Sequence, residues 1–346
     1  MTFAYLSGRC IQINHLTESL NSSKIKTNIV SQPTEVSFVS RSYKLAAHFY
    51  PPVSGSPDRA GAAIIICHPW TPIKEQSPAN YARVLSQAGF SCLAYDAAYQ
   101  GESEGLPRAL EDPGQRAEDI KAAVTYLVSR KDVDSDKIGV VGICASGGYA
   151  PYAAQTDLGI EAVATSAAVC VGTMARRGLD KDSSNMDNLQ AQLQLPAKDR
   201  NSDVGGEEVE IIHMLPDTFD AAHVPDEMPE LFQDLASYYR TSRANHPRAT
   251  NTCLPRSWDL MANPKEQSGA YFGECTLARP LTSVPPYNAR LVEEGKVNGD
   301  TSIDGIVIIV AVTTRSDGNA GIQERIALSI MCQQLGGNER AVIQER

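Results

Sequence analysis

The stretch Val140-Val141-Gly142-Ile143-Cys144-Ala145-Ser146-Gly147-Gly148 carries an apolar run into a cluster of small residues with a thiol at its centre. Small residues on both sides let a strand turn sharply into a helix, and such a turn thrusts one side chain out over the end of a sheet. A cysteine held there meets the free N–H groups and the positive end of a helix, both of which favour the thiolate. Cys144 is therefore the candidate nucleophile, suited to attack on an acyl carbonyl. A second register stays open, in which Cys144 replaces a glycine and Ser146 is the nucleophile. Cys144 is preferred because it follows the last expected strand residue by two positions, whereas Ser146 falls in the first helical turn. An inert cysteine packed beneath the turn is the alternative without chemistry.

No other residue cluster suggests comparable chemistry. Eight cysteines, at 10, 67, 92, 144, 170, 253, 275 and 332, contain no Cys-x-x-Cys pair and keep no metal-ligand spacing from the six histidines. They read as free thiols, with no metal site and no cofactor expected. Cys67 and Cys92 lie within apolar runs, where a thiol acts as a small hydrophobe. Thirty-one basic against forty-one acidic residues give a net charge of -10, the wrong sign for a nucleic-acid or anionic-membrane partner. No apolar run approaches the roughly 20 residues of a membrane span, so no membrane insertion is expected. Met1 to Gln12 lacks the apolar stretch of a signal peptide, which leads us to expect a soluble intracellular protein.

Around this motif the pattern predicts the elements that must hold it. Val36 and Phe38, then Leu45, Ala47 and Phe49, alternate with polar residues across a short turn, as in an antiparallel hairpin. Ala62 to Cys67 and Ser91 to Tyr95 read as strands, with Lys137 to Gly142 and Glu161 to Val169 following. Between them, a helix is expected with Tyr81, Val84, Leu85 and Ala88 on its apolar face. Another starts at Asp112-Pro113 with Gln115 as a capping-box partner and Ile120, Ala123, Val124 and Leu127 facing inward. Gly148 to Ala154 suits a third. This β-α alternation predicts an α/β fold with a doubly wound, mostly parallel sheet. Residues 1–33 read as an arm, 34–170 as the first part of the core, 171–250 as an inserted helical cap including Glu230 to Tyr239, and 251–346 as the remainder of the core.

The ordered series of hairpin, Cys67-His68-Pro69 loop, Lys74-Glu75-Gln76, Tyr95-Asp96, Gly101-Glu102-Ser103-Glu104-Gly105 and the Cys144 turn resembles the α/β-hydrolases over about residues 35 to 280. Cysteine in the serine position is similar to dienelactone-hydrolase-like members, and the whole looks most like fungal polyketide transferases and thiohydrolases, including those of host-selective toxin clusters. The resemblance implies an α/β-hydrolase fold, a small-molecule acyl ester or thioester as substrate, and an oxyanion hole formed by the N–H groups of Trp70 and Ala145. It also gives His68 two readings, as a loop organiser or as a stand-in base. The Gly101 to Gly105 segment reads as a flexible turn.

That family places nucleophile, acid and histidine in this chain order. Here no histidine follows His246, and Asp317, after the apolar run Ile306 to Val312, is the nearest match to the acid. His213, His223 and His246 are candidates for a substitute base. Two readings of the ending stay open: a diverged copy that has lost its triad, or a changed reading frame beyond Leu281. Three functions follow. One is an acyl hydrolase or acyltransferase acting through Cys144 in secondary metabolism. Another is a catalytically inactive acyl-ligand or partner-binding paralogue. The third, a hydrolase of small lactones, is disfavoured by the eighty-residue insertion. Gln344-Glu345-Arg346 departs from a Ser-Lys-Leu-type address, giving an expectation of cytoplasmic residence, whereas the resemblance implies a peroxisomal one.

Overall fold

The computed structural model describes residues 32–177, 186–205, 211–220, 228 and 230–262, with six short strands outside these ranges. Two of those strands, β1 (Phe3–Leu6) and β2 (Arg9–Gln12), pair antiparallel within a compact unit spanning Met1–Val30. The second unit, Ser31–Arg346, carries the main sheet.

Its first elements are β3 (Thr34–Ser40), β4 (Tyr43–Tyr50), β5 (Ala63–Cys67), α1 (Ser77–Gln87) and β6 (Ser91–Tyr95). They are followed by α2 (Pro113–Val128), β7 (Ile138–Ile143), α3 (Ser146–Thr156) and β8 (Ala162–Ser166). Strands β6, β5, β7 and β8 lie side by side in parallel, and β4 and β3 extend the β6 edge as an antiparallel hairpin. Every residue of the four parallel strands is buried. Burial on both faces explains why their sequences are apolar without alternation.

From β5 the chain moves first to β6 on one side and then to β7 on the other. Such a reversal opens a crevice beyond the carboxyl ends of the two strands that diverge, the usual place for a ligand in an open α/β sheet. Cys67 and Gly142 are opposite one another across β5 and β7, so the loops that follow these strands emerge as neighbours.

The helices follow their expected spans, with two instructive departures. In α1 the buried face is Ala79, Ala82, Leu85 and Ser86, whereas Tyr81, Val84 and Ala88 are only partly covered. Small residues let this helix lie close on the sheet, and Tyr81 turns aside to share a 2.7 Å hydrogen bond with Ser166 Oγ. In α2, Asp112 caps the helix by accepting from the Gln115 N–H at 3.1 Å. The Gln115 side chain does not return the bond; its Nε2 donates to Ser40 Oγ and Asp119 Oδ1, 3.1 and 2.7 Å away. Ile120, Ala123, Val124 and Leu127 are buried as expected. Burying the three larger ones contributes roughly 1.5–3 kcal/mol each.

Beyond β8 come α4 (Val171–Arg177), α5 (Met186–Gly205), β9 (Ile212–His213), α6 (Glu230–Tyr239), β10 (Thr252–Cys253) and α7 (Ser257–Ala262). Helix α6 is tied to the start of α1: Gln76 Nε2 donates to the Ala244 carbonyl at 2.7 Å and Asn80 Nδ2 to Tyr238 Oη at 2.8 Å. Strands β11 (Tyr287–Leu291) and β12 (Ile308–Arg315) complete the sheet, and β13 (Met331–Cys332) pairs with β14 (Arg340–Ala341). The apolar run near residue 308 does form a strand, but β12 is antiparallel to β8, with Ile308 opposite Ser166 and Val312 opposite Ala162. Its carboxyl end therefore lies beside the start of β8, at the end of the sheet away from Cys144. Asp317 lies outside the described residues.

Candidate active site

At the end of β7 the backbone of Cys144 takes a left-handed conformation, with φ of 54°. Such a conformation costs a side-chain-bearing residue roughly 1–2 kcal/mol and is held only by surrounding bonds. Here the Cys144 N–H donates to the Ser166 carbonyl at 2.9 Å, and its own carbonyl accepts from Gly147 and Val169 at 2.8 and 2.9 Å. The turn is tight enough that a Cβ on Gly142 would come within 2.1 Å of the Ser146 carbonyl oxygen, so only glycine fits.

Cys144 keeps partial exposure, while its neighbours Ala145 and Ser146 are buried. The backbone N–H groups of Ala145 and Trp70, the two expected from the motif, act on the Cys144 thiol in the direction that favours its thiolate. Burial nevertheless outweighs them and pushes the thiol above its ordinary value. The expectation that the helix end would lower it is corrected: enclosure by protein penalises the thiolate more than the N–H groups and the nearby Arg116 relieve it.

Ser146 occupies the first turn of α3 and is buried, its Oγ donating to the His68 carbonyl at 2.6 Å. With its hydroxyl buried and committed, it is not placed to attack a substrate.

His68 is wholly enclosed. Its Nε2 accepts from the Ala97 N–H at 3.0 Å, which leaves the proton on Nδ1 to be donated to the Pro69 carbonyl at 2.6 Å. Burial, helped by Arg116, holds the ring well below the usual histidine range and therefore neutral. Both nitrogens are engaged, so His68 is the organiser of its loop and not a base for Cys144. His213 sits at the surface 3.1 Å from Asp217, and His246 accepts from the Arg248 N–H within its own turn. Neither bonds the thiol, and His223 lies outside the described residues.

Beneath the crevice lies a buried group that the sequence did not single out. Arg116 Nη2 donates to the carbonyls of His68 and Pro69 at 2.7 and 3.2 Å and to Ser146 Oγ at 3.1 Å. Its Nε is 3.5 Å from Glu111 Oε1, which also accepts from Tyr149 Oη at 2.8 Å. Full burial raises the Glu111 carboxyl to about 7, even though Arg116 and Tyr149 pull it down. The available signal was position: Arg116 precedes Ile120 by four residues and so shares the inward face of α2.

The charged residues quoted in the resemblance serve as struts. Lys74 Nζ, itself buried, bonds Asp96 Oδ2 at 2.8 Å, Glu102 Oε2 at 2.6 Å and Glu75 Oε1 at 2.8 Å. Burial opposes a charged amine, but these carboxylates more than offset it and move Lys74 upward. The Gly101 to Gly105 turn is correspondingly fixed, not flexible: Glu102 N–H donates to Asp96 Oδ2 at 2.9 Å and Ser103 Oγ to the Asp96 carbonyl at 2.6 Å. A Cβ on Gly101 would fall 2.2 Å from Asp96 Oδ2.

A mostly parallel, doubly wound sheet with a tight strand-to-helix turn at the end of a central strand is the architecture of an α/β-hydrolase. The dienelactone hydrolase family model matches residues 51–168, which include the His68 loop and the Cys144 turn. The uncharacterized protein YcjY of Escherichia coli strain K12 is 38% identical over 213 residues, covering 62% of this chain and 68% of its own length. A crystal structure of the hypothetical protein PA2218 from Pseudomonas aeruginosa superposes with a TM-score of 0.62 at 30% identity, over 68% of this chain and 72% of that one. The polyketide transferase claH of Penicillium crustosum is 30% identical over 145 residues, 42% of this chain and 45% of its own. The chain belongs to the dienelactone hydrolase family of α/β-hydrolases.

Proposed function

We propose that the protein acts on small acyl esters or thioesters through Cys144. The Cys144 thiolate attacks the acyl carbonyl carbon, the Trp70 and Ala145 N–H groups hold the developing oxyanion, and the C–O or C–S bond breaks to release an alcohol or thiol that takes its proton from water. Water, or a second alcohol or amine, then attacks the S-acyl intermediate and regenerates the thiol. The observation supporting this reading is the strained, partly exposed turn that holds Cys144 at the end of β7, next to the loop that follows β5. Similarity to a protein named as a polyketide transferase favours a polyketide-type or other aliphatic acyl chain in secondary metabolism.

A second reading, an acyl-binding protein without turnover, is favoured by the engagement of both His68 nitrogens. Hydrolysis of a p-nitrophenyl ester and of an acyl thioester by the wild type and by Cys144→Ala separates the two. Turnover lost in the variant supports catalysis. Equal rates, or stoichiometric acyl binding without turnover, support the second reading.

A further inference from the structure

We propose that Arg116 is a positioning residue that aims the oxyanion N–H groups at Cys144 by clamping the two loops that carry them. The proposal rests on the reading of Cys144 and its N–H partners given above.

The Pro69 carbonyl and the Trp70 N–H belong to one rigid peptide plane and point in opposite directions. Holding that carbonyl on one side therefore fixes the N–H on the other. Arg116 Nη2 lies 3.2 Å and His68 Nδ1 2.6 Å from the Pro69 oxygen, and the Trp70 N–H favours the Cys144 thiolate. The Ala145 N–H shares its plane with the Cys144 carbonyl, which is held by Gly147 and Val169. What remains is to set the two planes relative to each other, and Arg116 spans that gap. The same Nη2 bonds the His68 carbonyl of one loop and Ser146 Oγ of the other, while Ser146 Oγ donates to that His68 carbonyl. Glu111 at 3.5 Å and the Tyr149 ring, 5.4 Å from the guanidinium carbon, hold the cation in place from behind. A planar fork reaches several acceptors at once, which a lysine ammonium on a flexible stem does not.

The test uses full-length Arg116→Lys and Ser146→Ala. Two readouts are taken: kcat and KM on a p-nitrophenyl ester, and the pH midpoint of iodoacetamide alkylation at Cys144, followed cysteine by cysteine with peptide mass spectrometry. For Arg116→Lys the expected result is a kcat lower by roughly 10- to 100-fold with KM within about threefold, as for loss of an aligned oxyanion donor. The alkylation midpoint moves up by about one pH unit because the thiolate loses a donor. Ser146→Ala shifts both in the same direction by less. A folded Arg116→Lys protein with wild-type kcat and an unchanged midpoint overturns the proposal, since a merely structural arginine would move neither. If Arg116→Lys does not fold, the midpoint of Ser146→Ala decides: displaced supports the clamp, unmoved overturns it. Absence of Cys144-dependent turnover in the wild type would defeat the nucleophile reading alone, because the alkylation midpoint still tests the clamp.

Discussion

The half of the molecule that presents the nucleophile and the part that would carry an acid and a base are built in contrasting ways. Residues 34–170 set Cys144, Trp70 and Ala145 on the loops that follow neighbouring strands, which are tied by Arg116, His68 and the Lys74 cluster. On the far side of β8, β12 runs antiparallel to it, opposite to the direction in which a strand would deliver an acid to Cys144. On the proposed function, electrostatic preorganisation for an oxyanion and general-base assistance are separable. One needs only a strand-to-helix turn and an adjacent loop; the other needs strands far along the chain to arrive in the right direction.

The largest expected effect follows from the nucleophile itself. Cys144→Ala is expected to lower acyl turnover by roughly 10³-fold or more, read as kcat/KM on an acyl thioester. Next comes the effect of having no histidine bonded to Cys144 among the described residues. Because the thiol lies above its ordinary value of 9.0, the rate is expected to rise about tenfold per pH unit from pH 6 to 9 without levelling off. A plateau near neutral pH would mean that a base serves Cys144 and would erase the contrast.

Stability tests the nucleophile part by a second route. Gly142→Ala forces a Cβ into the Ser146 carbonyl and is expected to destabilise by roughly 3 kcal/mol, seen as a lowered denaturant midpoint. Glu111 supplies a pH signature. Its folded value of about 7 exceeds the ordinary 4.5, so the folded state binds the proton more tightly than the unfolded one. Stability should therefore be fully retained below about pH 4.5 and decline as pH rises to 7, by on the order of a few kcal/mol, in wild type but not in Glu111→Gln. The smallest effect is that of Tyr149→Phe, which removes the 2.8 Å bond to Glu111 and is expected to cost about 1–2 kcal/mol in chemical denaturation.

Much of the nucleophile half was legible in the sequence because its signals are local. The apolar runs of β5 to β8 mark strands buried on both faces, Asp112-Pro113 marks the start of α2, and the small residues around Cys144 mark the turn. What escaped was decided by partners distant in sequence. Arg116 reads as an ordinary helix charge until β5 and α3 bring His68 and Ser146 to it, 48 and 30 residues away. The Gly101 to Gly105 segment looked flexible by composition, yet Asp96, Lys44 and Lys74 hold it. The direction of β12 was invisible too, since an apolar run specifies a strand but not its sense.

The central claim is that the Cys144 sulfur takes the acyl group. Wild-type protein quenched in acid during turnover of a slowly hydrolysed acyl thioester, then digested and weighed by mass spectrometry, should show the acyl mass on the peptide containing Cys144 and on no other. Turnover without that adduct, accompanied by undiminished activity in Cys144→Ala, would contradict it.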